Sequence, residues 1–469
     1  METSGSHMTQ SDLFTWSMEH DPILRSTIVS VLLLDGPPDR DRLIDTIDRA
    51  TRVVPRFRHR LVAAPFGLAP PRWVPDPDFD LSWHIRHVAV PVPATFSAVL
   101  EFARTEAMTA FDPARPLWQF TLLDGVEDGK AALVLKVHHS LTDGIGGIQI
   151  AGEILDFDRS GTAREPAPDV TAPDNSEWAD IVAWNWSVGS QLARAGITLV
   201  PRSLRSTLAP IRTLRTGFAT AASLFRLAQP ITRTLSPVMT GRGLGRQLAV
   251  LETSLAGLRR AAHRSGCTTN DAFLTAVLLG LQIYHDKHGT KAEHLRVAVP
   301  ISLRTQGDPL GGNRITIVRF VAPADLESTA DLMRALDTAV DNWRHEPAIP
   351  WSNSVAATFN RLPAGLLTAM FKHIDFIASD VPGSPVPLYI AGAGIERIYP
   401  FGPTTGTAFN VTLLSHVGTC CVGINADTAA VPDLPVLTDC IAAGFRTVID
   451  GNGADSNAQP ARTPLLRRD

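Results

Sequence analysis

Two apolar runs, residues 117–123 and 131–137, flank the turn-forming pairs Asp124-Gly125 and Asp128-Gly129, and they narrow the fold more than anything else in the chain. Asp-Gly supplies the backbone conformation a hairpin needs, and runs rich in Trp, Phe, Thr, Leu and Val make strands, so an antiparallel pair is predicted. The second run leads directly into His138 and His139, and residues 145–155 then take up the apolar spacing of a helix. The two histidines are thus placed at a strand end, just before a helix. Neighbours on a strand point to opposite faces, so the pair can serve one site together only if the chain bends.

Elsewhere both halves mix strands and helices. Strands are predicted at 27–34 (closed by Asp35-Gly36-Pro37-Pro38), 84–88, 296–299 (giving way at Pro300), 313–321, 374–379, 408–414 and 418–425. Helical spacing covers 39–54, with Leu43, Ile44, Ile47 and Ala50 on one face, and 96–110, 254–266, 270–283 and 434–448. The expected class is α/β, with α+β mixed sheets, in two domains. The division expected is a first domain over 8–165, a linker and basic helical crossover over 166–250, a second domain over 251–450 and a disordered tail over 451–469. Residues 1–7 read as the remnant of a cleaved tag, with Met8 as the natural start.

Charged residues make up 19% and apolar residues 44%, and the net charge of −4 gives no global reason to expect nucleic acid. Neither a membrane-spanning run of about 18 apolar residues nor a secretory signal is apparent. Four cysteines without a Cys-x-x-Cys pair fit a reduced, cytosolic protein. Cys420 and Cys421 read as small core hydrophobes on opposite faces of a strand. Residues 181–251 contain no Asp, Glu or Lys but nine arginines, with apolar residues interleaved at roughly helical intervals. Two compatible readings follow. One is a helical crossover whose arginines pair with acids elsewhere; the other is a basic surface resting on anionic lipid, each arginine contributing about 1 kcal/mol.

Histidine, with an ordinary pKa of about 6.5, suits proton abstraction near neutral pH. Asp143 is near enough after a turn to orient His139 or to pair with an arginine behind it. Gly144, Gly146 and Gly147 let the backbone bend and a bulky ligand approach. A bare histidine pair is more often structural than catalytic. No zinc ligand set stands out, and the Gly-x-Ser-x-Gly elbow of a common serine hydrolase is absent.

His138-His139-Ser140-Leu141-Thr142-Asp143-Gly144 is similar to the His-His-x-x-x-Asp-Gly motif of acyltransferases related to chloramphenicol acetyltransferase. The chain resembles still more closely, and over nearly its whole length, the bacterial wax ester synthase/diacylglycerol acyltransferase family. Arg115-Pro116-Leu117-Trp118 resembles that family's Pro-Leu-Trp element, and Asn270-Asp271-Ala272-Phe273-Leu274 its Asn-Asp helix start. Gly312-Asn313-Arg314 resembles its Gly-Asn strand start, and Ser379-Asp380-Val381-Pro382-Gly383 with Pro387-Leu388-Tyr389 its Ser-Asn-Val-Pro-Gly-Pro element. Val431-Pro432-Asp433 fits its ending. Each string is weak alone; in this order they are specific. Asp380 stands where the family has Asn, and Ser384 where it has Pro. An aspartate keeps the acceptor oxygen and loses the amide donor, which bears on acceptor preference.

The resemblance implies two chloramphenicol-acetyltransferase-like domains with a substrate tunnel between them and His139 at its middle. It implies acyl-CoA as co-substrate, diacylglycerol or a long-chain alcohol as acceptor, and no permanently bound cofactor or metal. His139 becomes the general base, His138 a helper or packed residue, and Asp143 the partner that fixes the loop beside Gly144. Asn270 is a candidate oxyanion donor, with a helix cap as the equal alternative. The products expected are triacylglycerol and wax esters, made by a cytoplasmic protein in peripheral contact with the inner membrane face or lipid inclusions. Three other readings stay in view: an acyltransferase of the same superfamily with another alcohol, such as a polyketide alcohol or a carrier-linked substrate; a non-catalytic lipid-surface protein; and a glycerol-phosphate acyltransferase with His138 and Asp143 as its His-x-x-x-x-Asp, which lacks that family's downstream motifs.

Overall fold

A computed structural model describes residues 7–64, 69–168, 231–302, 312–313, 315–326, 328–344, 360, 369 and 371–451. In chain order the strands are β1 (Thr27–Leu34), β2 (His59–Val62), β3 (Arg72–Pro75), β4 (Ile85–Ala89), β5 (Trp118–Val126), β6 (Lys130–His138), β7 (Arg246–Ser254), β8 (His294–Ser302), β9 (Ile315–Pro323), β10 (Phe376–Val381), β11 (Tyr389–Ile390), β12 (Ala393–Phe401), β13 (Phe409–His416) and β14 (Thr419–Asp427). The helices are α1 (Gln10–Ser17), α2 (Arg40–Val53), α3 (Leu81–His84), α4 (Phe96–Met108), α5 (Gly144–Ile154), α6 (Leu255–Ser265), α7 (Thr269–Lys287), α8 (Thr329–Arg344) and α9 (Leu434–Asp450).

Among the described residues the strands make two six-stranded mixed sheets, ordered β11-β12-β1-β6-β5-β4 and β7-β14-β13-β10-β8-β9, with β2 and β3 as a separate pair. The predicted hairpin is β5–β6, in antiparallel register from Trp118↔Val137 to Val126↔Lys130. Helix α2 begins where Asp39 accepts the Arg42 N–H at 3.0 Å, and it buries Leu43, Ile47 and Ala50. Ile44, expected on that face, is exposed instead. Helix α7 is buried almost all round from Asp271 to Leu281, as a helix in the middle of a core must be. Cys420 and Cys421 fall in different cores, following the two-residue period of β14.

Three features depart from the sequence reading. Strand β8 does not stop at Pro300 but continues to Ser302. Its pairing to β10 ends at Ala298↔Ile377, while its pairing to β9 goes on through Pro300↔Ile317. Proline, lacking an N–H, is tolerated where one edge has already lost its partner. Residues 246–251, read as part of a helical crossover, start β7 and pair with β14. Finally, β11 and β12 leave the second half and complete the first sheet, with Leu32↔Ile398 in the β1–β12 register. The expected division between 8–165 and 251–450 is therefore crossed by residues 389–401. The expected linker and crossover lie mostly outside the described residues, and the expected tail does so beyond residue 451.

Candidate active site

The alternation of β6 sorts the two histidines. Leu133, Leu135, Val137 and His139 face a cavity of 630 Å³ lined by residues of both sheets and of α5. Lys136 and His138 point the other way. The chain does not bend, because the His139 N–H extends the β1–β6 ladder by donating to the Ser26 carbonyl at 2.9 Å. His138 is fully buried, its Nδ1 2.7 Å from Ser140 Oγ and its Nε2 3.2 Å from Glu19 Oε1. Trp16 and Phe111 meet its ring edge-on at 5.6 and 5.8 Å. Burial pushes the Glu19 carboxyl upward, but its bonds to His138 and Ser26 and the charge of Arg25 hold it below its ordinary value.

His139 has a different environment. Its Nδ1 is buried with no partner beyond its own backbone carbonyl, which leaves Nε2 as the ring nitrogen available to a ligand. Burial lowers the imidazole pKa below the ordinary 6.5, while that carbonyl and the charge of Asp143 pull weakly the other way. The ring is therefore neutral at neutral pH, as a base must be.

The loop after His139 is held from several sides. Asp143 is buried and caps α5, accepting the Gly146 N–H at 2.7 Å. Arg56 reaches the Ser140 carbonyl at 3.1 Å and pairs with the buried Asp12 of α1 at 3.0 Å. Asp12 in turn accepts the Asn313 N–H at 2.9 Å, and the Gly312 N–H bonds the Leu141 carbonyl at 2.6 Å. Gly312 has φ +81°, and a Cβ there would press on the Arg56 guanidinium at 3.2 Å, so the Gly-Asn element has a mechanical reason. On the far side, Val381 lies 3.3 Å from where a Cβ of Gly144 would stand.

The cavity wall is mainly apolar, with Phe120, Ile148, Ile398 and Leu414 among its side chains. Its polar members include Asn313, Ser379, Asp380, Asn410 and Thr412. Thr412 donates to Asn410 Oδ1 at 2.7 Å, and Asn410 Nδ2 donates to the Pro403 carbonyl at 3.0 Å. Of the motif residues, His139, Thr142, Asp143 and Gly144 line the cavity; His138 and Asn270 do not. Nor is Asn270 the helix cap. Thr268 is, in a reciprocal capping box with Asp271, whose carboxylate accepts the Thr268 N–H at 2.8 Å.

The remaining strings supply packing and backbone contacts, and the Ser379–Gly383 element also lines the cavity. Trp118 is buried, donates to the Phe57 carbonyl at 2.8 Å and stacks on His84 at 4.5 Å. A Cβ on Gly383 would collide with the Ser415 carbonyl. Asp433 accepts the Tyr284 hydroxyl at 2.6 Å. Of the nine arginines, Arg194, Arg202, Arg205, Arg212, Arg215 and Arg226 lie outside the described residues. Arg242 is spent on the carbonyls of Met239, Ile374 and Gly406, and Arg246 pairs with buried Asp427 at 3.3 Å. Among the described residues no cluster of His, Cys, Asp and Glu could hold a metal ion, and no helix is long and apolar enough to cross a membrane.

Comparison with known proteins agrees with this arrangement. The wax ester synthase/diacylglycerol acyltransferase catalytic domain matches residues 8–273, and the C-terminal domain of the same family matches 311–448. A putative diacylglycerol O-acyltransferase of Mycobacterium tuberculosis is 35% identical over 442 residues, spanning 92% of this chain and 89% of its own. A probable diacylglycerol O-acyltransferase of the same species is 25% identical over 442 residues, spanning 91% and 92%. In structure, the wax ester synthase/diacylglycerol acyltransferase of Marinobacter aquaeolei VT8 matches at a TM-score of 0.62 and 20% identity, over 95% of this chain and 99% of that one. The first condensation domain of the calcium-dependent antibiotic synthetase matches at 0.63 and 17%, over 96% and 98%. At these identities the two structures establish a shared two-domain, chloramphenicol-acetyltransferase-like fold. The chain is an acyltransferase and belongs to the wax ester synthase/diacylglycerol acyltransferase family.

Proposed function

We propose that the protein transfers the acyl group of a long-chain acyl-CoA to diacylglycerol or a long-chain alcohol, making triacylglycerol or wax ester, with His139 as general base. The observation that carries this reading is a histidine ring on the wall of an apolar cavity of 630 Å³, well within the range of about 300–1,000 Å³ for small-molecule sites, with burial favouring its neutral form. His139 Nε2 takes the acceptor's hydroxyl proton as that oxygen attacks the thioester carbonyl. The tetrahedral intermediate collapses by breaking the carbon–sulfur bond, and the imidazolium returns its proton to the departing thiolate. No acyl-enzyme is required, because the thioester is already activated and the cavity supplies proximity. Asp143 and the Arg56–Asp12–Asn313 connections act by fixing the loop, not by moving protons.

Peripheral contact with a membrane face or lipid inclusion is the seat this chemistry asks for, since an acceptor with two acyl chains does not dissolve in water. Phe157, on the cavity wall and 64% exposed, is an apolar side chain suited to such contact. If arginines in 181–251 also take part, vesicle binding falls as salt rises.

The test is CoA release from palmitoyl-CoA with diacylglycerol, hexadecanol or no acceptor. Release that requires an acceptor is expected, and the faster acceptor names the preferred product. Release without acceptor points to thioester hydrolysis instead, and vesicle binding without release to a non-catalytic lipid-surface protein.

A further inference from the structure

Asp380 is the penultimate residue of β10, a strand with neighbours on both sides in the second sheet. A carboxylate there ought to be paired. Its backbone is in register with Leu413 of β13, but the β8 side of β10 is unpaired beyond Ile377, and Pro300 and Ser302 of β8 line the cavity together with Ser379 and Asp380. Asp380 lines the cavity and has a large exposed area despite its central strand. The next residue, Val381, abuts the α5 start at Gly144, so Asp380 stands close to the loop that follows His139.

Among the described residues this carboxylate has no hydrogen-bond or ion-pair partner. Asp143 and Asp12, the buried acids of the catalytic-loop network, by contrast have theirs. The surrounding protein pushes the Asp380 carboxyl up to about 6, so it remains largely ionised at neutral pH, with its exposed face turned to the cavity. An ionised carboxylate only accepts hydrogen bonds, so its complement is an O–H or N–H donor brought in by a ligand. The acyl chains carry none. Donors come from two places: a second hydroxyl on the acceptor, or the amides and hydroxyl of the pantetheine arm of CoA.

We infer that Asp380 is a specificity-determining residue whose carboxylate accepts a hydrogen bond from a free hydroxyl next to the one being acylated. The enzyme then favours long-chain vicinal diols and monoacylglycerols over monohydric alcohols of equal length. This deepens the reading of the cavity given above and rests on it for the reaction, though not for binding.

The experiment compares hexadecanol with the vicinal hexadecanediol in the wild type, Asp380→Asn and Asp380→Leu. It measures kcat/KM for acceptor-dependent CoA release, and separately the equilibrium binding of both alcohols to the inactive His139→Ala protein with and without Asp380→Leu. A bond to a charged acceptor predicts a diol preference of about tenfold or more in the wild type, lost in Asp380→Leu and reduced in the isosteric Asp380→Asn. No diol preference, or one that survives Asp380→Leu, overturns the inference while leaving the acyltransferase reading intact. If Asp380→Leu raises the KM for acyl-CoA equally with every acceptor, the carboxylate meets the pantetheine arm, and the assignment to the acceptor is wrong. If no acceptor supports release, the acyl-transfer reading fails on its own. The binding arm still decides: diol binding weakened about tenfold by Asp380→Leu upholds the inference, and equal binding overturns it.

Discussion

His138 and His139 are chemically identical and adjacent, yet the protein gives them opposite surroundings. His138 has both nitrogens engaged, a carboxylate on one and a hydroxyl on the other, and aromatic rings against its edges. His139 has one nitrogen turned inward and the other open to an apolar cavity. The difference comes from the two-residue period of β6 and from nothing closer to chemistry. A saturated histidine stiffens the structure, whereas an unsaturated one is available to a substrate. Lys136 follows the rule: on the His138 face it is buried against Glu106 at 3.0 Å and lies over the Phe111 ring.

The largest effect expected from breaking this contrast is His139→Ala, which should lower acceptor-dependent turnover by about 100-fold to 10,000-fold while leaving the melting temperature nearly unchanged. Asp12→Ala comes next. It strips a buried carboxylate from Arg56 and Asn313, and unfolding titrations should register a loss of about 3 kcal/mol. His138→Ala reverses the pattern of its neighbour. Stability should fall by about 2 kcal/mol as Glu19 loses its partner, with the activity of the folded fraction changed less than about tenfold. Because the Glu19 pKa is depressed, its share of that stability is present above the ordinary 4.5 and lost as pH falls through the folded-state value. The gap between wild type and His138→Ala should accordingly narrow in acid; a constant gap would mean that Glu19 is not the partner that matters.

The smallest effect is at Asp380, where the sign is opposite. Its pKa is raised from 3.8 to about 6, so between those values the folded protein holds more protons than the unfolded chain. The ionised group then costs stability in full above about 6 and nothing below 3.8. Asp380→Asn should therefore stabilise the protein near pH 7, by about 1 kcal/mol after allowance for the group's exposure, and the gain should vanish near pH 4. Denaturant melts at the two pH values check it.

Much of this contrast was legible in the sequence. The hairpin, the run into His138-His139 and the helix after Gly144 follow from Asp-Gly turns and apolar periodicity, and the alternation rule already opposed the two rings. What could not be read was anything that depends on distant chain. Strand β12 is hidden in the sequence because Gly392 and Gly394 interrupt the apolar pattern at its start, and its partner β1 lies more than 300 residues away in sequence. The same holds for helix α1: Asp12 matters through Arg56 and Asn313, and no local pattern reveals that. Thr268, Thr269, Asn270 and Asp271 are all capping residue types, and only the backbone shows that Thr268, not Asn270, is the cap. Asp380 departs visibly from the family pattern, but its lack of a partner among the described residues shows only in three dimensions.

The central claim is that His139 acts as a neutral base, and the pH profile of kcat/KM for acceptor-dependent CoA release tests it most directly. With the imidazole pKa lowered by burial, the wild-type rate should be flat through neutrality and fall along a single acid limb whose midpoint lies below 6.5. The residual rate of His139→Ala should lack that limb. A midpoint at or above 6.5, or a limb that persists when His139 is removed, would contradict the assignment and place the base elsewhere in the cavity.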